Sequence, residues 1–531
     1  MAGTNSLVPA IFLKERITGM KTYSDLEFLK LSKGQKALYK LERFFASIPA
    51  GIMRFFVGIW GLIKKGVAAV GREASDIFST FTNGDWKTKL SYLVMGFGNL
   101  ARGQILRGLL FLLFEVVFIG YMVLTGAYWL SMLPSLGKQG PTEVYDEIFD
   151  TYVTTYNDNS FKILLYGVLT CFFIVAFIYT WRQNIKQNKI AEQILASGKK
   201  LKSGKDDLRS MVDDKFHKTL LALPLTGILI FTVLPIIFMV LVAFTNYDGA
   251  HDGYANNLFS WVGLKNFNTM LSWTGGSGGT QSYAATFGEV LTWTLIWAFF
   301  ATFTNYFLGM FVAMAINKRG IKLKKVWRTV LVLTIAIPQF ISLLYVSKMF
   351  AKDGILNGFL LSMGWIKQAL PFWEKASWAR VTVIIINIWI GIPYLMLITT
   401  GILMNIPADL YESARIDGAN AWQQYSKITL PYMLFVTGPY LLTSFTGNMN
   451  NFNVIYLLTG GAPTNPAASS AAGSVGYTDL LITWLFKITT GAESQYYLAS
   501  VVGILVFIVV ALISLVVYNV LPSIKNEEDF Q

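Results

Sequence analysis

The sequence predicts an all-α, polytopic membrane protein with about eight transmembrane helices, and three observations carry that expectation. Of 531 residues, 54% are hydrophobic and 14% charged, whereas a water-soluble domain carries nearer a quarter of its residues as charges. The mean hydropathy is +0.48. Apolar runs approaching the ~20 residues needed to cross a bilayer recur at roughly 106–130, 161–181, 219–244, 289–316, 327–350, 380–404, 432–458 and 497–521.

Residues 1–105 read as a cytoplasmic or interfacial region. Leu41, Phe44, Phe45, Ile48, Ile52, Phe55, Phe56, Ile59, Trp60 and Ile63 follow helical spacing, and Arg54, Lys64 and Lys65 interrupt the apolar length. That pattern predicts an amphipathic helix lying at the membrane surface. The first 40 residues contain no continuous apolar core, so no cleavable signal peptide is expected.

Residues 106–218 hold the first two spans and a basic loop. Glu115 sits inside the first span, where a charge is expensive; a functional site is one reading, and the favoured one is a structural group, neutral or paired with a neighbour. Cys171, the single cysteine, is read as packing; alone it excludes an intramolecular disulfide framework and a several-cysteine metal site. Two histidines, His217 and His251, leave little room for His-based chemistry. The net charge of +13 resembles a nucleic-acid signal until its distribution is read. Ten Lys/Arg lie between Arg182 and Lys218, and six lie between Lys318 and Arg328 with no acid among them. Basic loops stay in the cytoplasm, so no nucleic-acid partner is expected and both termini fall inside.

Residues 219–521 form the core, with 522–531 a cytoplasmic tail ending in Glu527, Glu528 and Asp529. The loops at 131–160, 245–288 and 351–379 carry few basic residues and fall outside. Gly275–Gly279 and Ala462–Gly476, rich in small residues and turn formers, read as external loops.

The strongest motif is Ile406-Pro407-Ala408-Asp409-Leu410-Tyr411-Glu412-Ser413-Ala414-Arg415-Ile416-Asp417-Gly418-Ala419, followed by Ile428-Thr429-Leu430-Pro431. Pro407 suits a first helical turn, Asp409 and Glu412 suit its positive end, and Gly418 suits its termination. A short capped helix at 406–418 on the cytoplasmic side follows. This segment resembles the signature of permease subunits of binding-protein-dependent ABC importers: Glu-Ala-Ala, three residues, Gly, nine residues, Ile-x-Leu-Pro. Glu412, Ala414, Gly418, Ile428, Leu430 and Pro431 match in register, with Ser413 replacing the first Ala. The resemblance implies a coupling helix, with Glu412, Ser413, Ala414, Asp417 and Gly418 facing an ATP-hydrolysing partner.

No P-loop occurs: Gly137-Lys138, Gly198-Lys199 and Gly204-Lys205 lack the upstream Gly and the following Ser/Thr. The chain is therefore expected to be a transport subunit without a catalytic site, a metal or a cofactor of its own, with ATP and magnesium on the partner ATPase. No zinc-binding His-Glu-x-x-His pattern is present.

Over 219–521, the span layout and the segments Phe259–Phe267 and Thr443–Phe452 resemble the larger membrane subunit of maltose/maltodextrin importers. Ser444, Asn448 and Asn451 are spaced to share one helix face with Gly447 beside them. Asn387, Gly391 and Tyr394 repeat that spacing on the sixth span. Gln339 and Ser342 lie one turn beyond Ile335 on the fifth, where Pro338 breaks the backbone ladder. Amides, hydroxyls and aromatic rings without a fixed charge suit an uncharged polyol; helix–helix hydrogen bonding is the competing reading of the same residues. The resemblance implies that these positions line a sugar site. Three depart from the family pattern: Ile335 for an aromatic, Gln339 for a serine, and Gly447 for a bulky residue.

The expected function is the permease subunit of an ATP-driven importer for neutral oligosaccharides, most simply maltodextrins, in the bacterial plasma membrane. Its implied partners are a second permease, an ATP-binding cassette dimer, an extracellular sugar-binding protein, the oligosaccharide and membrane lipid. The loop after the third span, about 40 residues, is shorter than the folded domain found there in resembling subunits of two-membrane bacteria, so the binding protein must dock on smaller loops. The alternatives are a permease for another neutral sugar and, from a different class, an ion-coupled secondary sugar transporter.

Overall fold

The computed structural model describes residues 32–138, 140, 142–155, 158–254, 257–273, 281–318, 320–468 and 475–520. Gly275–Gly279 and the acidic tail at 527–529 lie outside them. The chain divides into two compact units, Met1–Gly120 with Ile174–Thr219, and Tyr121–Phe173 with Leu220–Gln531. The boundary drawn at residue 105 therefore runs inside the first unit.

In the first unit, α1 (Lys33–Asn83) starts at a capping box: Ser32 Oγ accepts from the Gln35 amide, and Gln35 Oε1 accepts from the Ser32 amide. This helix runs through the stretch where helical spacing was expected and extends beyond it at both ends. The side chains from Leu41 to Phe56, with Ile59 and Ile63, lie outside the described residues; Trp60 is 59% exposed. Two short helices, α2 (Trp86–Leu90) and α3 (Phe97–Leu100), follow. They are clamped to the polar half of a long helix whose apolar half is span two (Ser160–Ala196).

Arg102 is the centre of that clamp, its side chain only 1% exposed. It donates to Asp85 Oδ1 (2.6 Å), Thr88 Oγ1 (2.6 Å), Asn188 Oδ1 (2.8 Å) and Gly98 O (3.2 Å). Asn184 accepts from the Gly96 amide and donates to Ser91 O, and Trp181 Nε1 donates to Tyr92 O. Arg182 with Glu73 and Lys189 with Asp76 tie α1 to the same helix. Gly96 sits at φ +82°, and a Cβ there would lie 2.1 Å from Gly108 O, so no other residue fits. Glu115 is buried and accepts from the Met95 amide at 2.8 Å, which supplies the partner its position required. Arg102→Met strands several of these acceptors and is expected to cost about 2 kcal/mol, read as a lower thermal midpoint of the purified protein. An unchanged midpoint would remove Arg102 from that role.

Asp85 caps α2 through the Thr88 amide. Partial burial raises its carboxyl, but the Thr88 bonds and Arg102 outweigh this and hold it below the usual 3.8.

Among the described residues, seven helices are long and apolar enough to span a membrane: Ile105–Met132, Ser160–Ala196, Phe216–Val242, Tyr283–Asn317, Ala376–Leu403, Ala421–Met449 and Tyr496–Tyr518. They are spans one to four and six to eight. Span five is a broken pair, Lys324–Ala336 and Gln339–Met349, bent by 90°. Pro338 has no N–H to donate, and it forces Ile337 into extended backbone (ψ 124°), so the helix must stop and restart. Many large apolar side chains on the spans are exposed, as a hydrocarbon solvent requires. Cys171 is among the exposed residues, so the packing role expected of it does not hold. Its side of span two was not legible from composition, because every face there is apolar.

In the second unit, the core lies where spans four, six and seven meet. Trp297, Tyr306 and Met310 of span four are fully buried, and Thr437 of span seven donates to the Tyr306 hydroxyl. Between spans one and two a two-stranded antiparallel hairpin, β1 (Thr142–Asp146) and β2 (Thr151–Thr155), adds the strands found among the described residues. The Phe259–Phe267 segment ties down the end of span three: Asn266 donates to Ala243 O and Thr245 O, and Trp261 donates to Leu133 O.

Candidate functional site

A nine-residue helix, α5 (Ala408–Ile416), connects spans six and seven at the predicted place. Pro407 precedes it as the N-cap rather than occupying its first turn. Asp409 lies in the first turn and Arg415 in the last, both favourable to the helix dipole. Gly418 takes φ +75°, and Ala419 donates to Ala414 O at 2.8 Å, closing the end. No atom lies within 4 Å of a Cβ built on Gly418, so only its backbone conformation demands glycine.

The exposed side of this helix carries Glu412, Ser413 and Asp417, with Gly418 following; Ala414 is half-buried. Glu412 has no ion-pair or hydrogen-bond partner among the described residues. Tyr411 anchors the other side through a 2.8 Å bond with Thr429 Oγ1, and Asn420 and Gln423 form the capping box that opens span seven. Within the motif Ile416 is 87% exposed, and beside it Trp422 is 71% and Met404 70% exposed. Sequence reading missed Met404 and Trp422, since an apolar residue at the end of a span looks like part of the span. Exposed apolar side chains near an unpaired charge are a common composition for surfaces that dock another protein.

The predicted sugar-facing residues are brought together in part. Asn387 is buried, and its Nδ2 has no hydrogen-bond partner among the described residues. One turn on, Gly391 lies against span four, where an added Cβ would meet Asn305 Nδ2 at 2.3 Å. Asn305, unnoticed in the sequence because it sits alone in an apolar run, is also buried and leaves its Oδ1 unpaired. An unserved donor and an unserved acceptor thus lie on one helix–helix seam. Tyr394, further along span six, is 52% exposed and stands within electrostatic range of Tyr440, which lies one turn before Ser444 on span seven.

On span seven, Asn448 donates to Thr302 Oγ1 of span four (3.0 Å), and its carbonyl accepts from Trp297 Nε1 (3.1 Å). Part of its polar capacity is therefore interhelical. Asn451 does not continue the helix of Ser444 and Asn448. Span seven stops at Met449, and Asn451 caps a new helix, α6 (Phe452–Leu458), accepting from the Val454 amide. Two consecutive asparagines compete for backbone groups and break the helix. Asn451 Nδ2 still reaches Asn448 Oδ1 at 3.4 Å. Gly447 is exposed, with open space around it. Gln339 begins the second half of span five and is exposed; that half packs on α6, where Ser347 donates to Leu458 O. The bend at Pro338 makes this placement possible.

A cavity of about 950 Å³ lies elsewhere, lined by Leu410, Ile428, Leu434, Phe435, Leu442 and Phe445 among others. Its apolar lining suits lipid or a partner's helices, not a polyol.

Residues 305–525 match the family model described as the binding-protein-dependent transport system inner membrane component. The chain is 33% identical over 453 residues to the maltodextrin transport system permease protein MalC of Streptococcus pneumoniae, covering 83% of this chain and 97% of that one. It is 32% identical over 465 residues to the maltodextrin permease MdxF of Bacillus subtilis (85% and 98%). The galactooligosaccharides permease GanP of the same organism is 32% identical over 441 residues (82% and 97%). Likeness that runs nearly end to end along each relative, and includes the helix between spans six and seven, makes this chain a member of the binding-protein-dependent ABC importer permease family.

Proposed function

We propose that this sugar-importer permease carries neutral oligosaccharides, with maltodextrins as the substrate class. The observation that carries this reading is the uncharged character of the cluster. Asn387, Gly391, Tyr394, Ser444, Gly447, Asn448, Asn451 and Gln339 include no carboxylate and no cation. The unpaired Asn387 Nδ2 and Asn305 Oδ1 call for a group that both accepts and donates, which a sugar hydroxyl does. Tyr394 offers a ring for a pyranose face.

In this reading a second permease subunit completes the site and covers the exposed positions 339, 394 and 447. The ATPase dimer, with its ATP and magnesium, docks on α5, and Glu412 pairs with one of its basic residues. An extracellular binding protein delivers the sugar. Both termini lie in the cytoplasm of a bacterial plasma membrane, because the basic loops at 182–218 and 318–328 then do too. Docking and ATPase closure shift the pair between inward- and outward-facing states, to which the link must bind differently.

Galacto-oligosaccharides are the second reading, favoured by the equal extent of the likeness to GanP. Competition uptake in cells making the whole importer separates the two: maltotriose should compete with labelled maltodextrin at least tenfold better than a galacto-oligosaccharide does. The reverse order would replace the maltodextrin assignment. Gly447→Phe fills open space in the same cluster and is expected to shift the uptake profile toward shorter chains. An unchanged profile would take Gly447 out of the site.

A further inference from the structure

The first unit holds a cavity of about 600 Å³, separate from the polar cluster of spans five to seven. It lies among the start of span one, the polar half of span two's helix, and a helix between spans two and three (Gly204–Val212). One wall is apolar, made by Leu106, Leu110, Phe111 and Phe114. Leu110 is 53% exposed, so this wall runs on into the lipid-facing side of span one. The other wall is polar, with Arg107, Gln183, Gln187, Asp207 and Lys215.

Arg107 Nη1 donates to Gln187 Oε1 at 3.2 Å, and Nη2 donates to Asp207 Oδ1. The second oxygen of that carboxylate, Oδ2, is buried with no hydrogen-bond partner among the described residues, on a residue only 8% exposed. A carboxylate only accepts, so a buried, unserved oxygen demands a donor. Neither the Lys215 ammonium nor the Gln183 amide has a partner among the described residues. The cavity therefore asks for three things at once: an apolar chain, an anion for Lys215, and a hydroxyl for Asp207.

We propose that this cavity binds an anionic phospholipid whose headgroup carries a free hydroxyl, phosphatidylglycerol being the simplest. Its phosphate accepts from Lys215, its glycerol hydroxyl donates to Asp207 Oδ2, and an acyl chain lies along Leu110 and Phe114. The stretch from Lys199 to Lys218 holds seven Lys/Arg against four Asp. That excess favours a lipid with net negative charge over one whose ammonium would add another cation.

The test is native mass spectrometry of the full chain in its purified, delipidated complex. The complex is titrated with phosphatidylglycerol, phosphatidic acid or phosphatidylcholine, and soluble glycerol 1-phosphate serves as competitor. Phosphatidylglycerol should be retained at least tenfold better than phosphatidylcholine. Lys215→Ser, an exposed change that spares the fold, should reduce that retention several-fold. Asp207→Asn should erase the preference for phosphatidylglycerol over phosphatidic acid, which has no hydroxyl to offer. Three results would each overturn the proposal: equal retention of phosphatidylcholine, retention indifferent to Lys215→Ser, or full displacement by glycerol 1-phosphate at equal concentration. A phosphatidylglycerol preference that survives Asp207→Asn in a folded complex would overturn the hydroxyl assignment.

Discussion

Glu412→Lys is expected to lower sugar uptake by about 100-fold or more while leaving the amount of protein in the membrane unchanged. Glu412 is exposed and unpartnered among the described residues, so its replacement disturbs nothing inside the subunit. Under the proposed coupling role it faces a basic residue of the ATPase, and a like charge there costs several kcal/mol, where each 1.4 kcal/mol is tenfold. Gly418→Pro should be as severe for a different reason. Gly418 needs φ +75°, whereas proline is held near −65°, so the helix end must rebuild. Gly418→Ala provides the control: open space surrounds the position, and only the left-handed backbone is penalised, by about 1 kcal/mol. Labelled-sugar uptake set against immunoblots of the membrane fraction reads all three. Uptake at the parent rate in the Lys variant would remove α5 from the coupling role.

The second large effect is on stability. Asp479 precedes a short helix, Leu481–Thr490, and its side chain is fully buried. It accepts from Lys487 Nζ (2.6 Å), the Gly476 amide (2.7 Å) and Thr483 Oγ1 (2.9 Å). Lys487→Met leaves that carboxylate buried without its cation, a change that costs about 3–5 kcal/mol, and a fall in thermal midpoint of the purified protein should show it. Burial already pushes the Asp479 carboxyl above 3.8, against the pull of Lys487 and the two other donors. The folded state thus holds this proton more tightly than the unfolded state, and ionisation costs stability as pH rises above 3.8. Removing Lys487 enlarges that cost, so the deficit should be full near neutrality and shrink as the pH is lowered. Asp479→Asn combined with Lys487→Met should recover most of the loss. A single variant as stable as the parent would mean that the pair is not worth its burial.

The spans were legible because apolar length is a one-dimensional property: among the described residues, seven long helices and one bent pair fall on the eight apolar runs, with span seven ending at Met449 instead of reaching 458. The break in span five was legible at Pro338 for a local reason, the missing donor; its 90° bend was not, since packing on α6 sets that angle. The short helix between spans six and seven was legible from caps and spacing within about 25 residues. The clamp around Arg102 was not, because its partners Asp85 and Asn188 stand on different stretches of chain and nothing local pairs them. The polar faces lie between these cases. Helical spacing placed Ser444 and Asn448 correctly, then failed at Asn451, where side-chain competition for the backbone ended the helix two residues earlier. Spacing also named Gly391 but not the Asn305 opposite it, which only the fold brings into contact.

The most direct test of the importer reading is ATP hydrolysis by the complex that co-purifies with this chain, reconstituted in lipid with its binding protein. Maltooligosaccharides are expected to raise the rate several-fold, and Glu412→Lys to abolish the rise. A rate that no sugar changes, or a chain that brings no ATPase with it and accumulates sugar on an ion gradient alone, would contradict it.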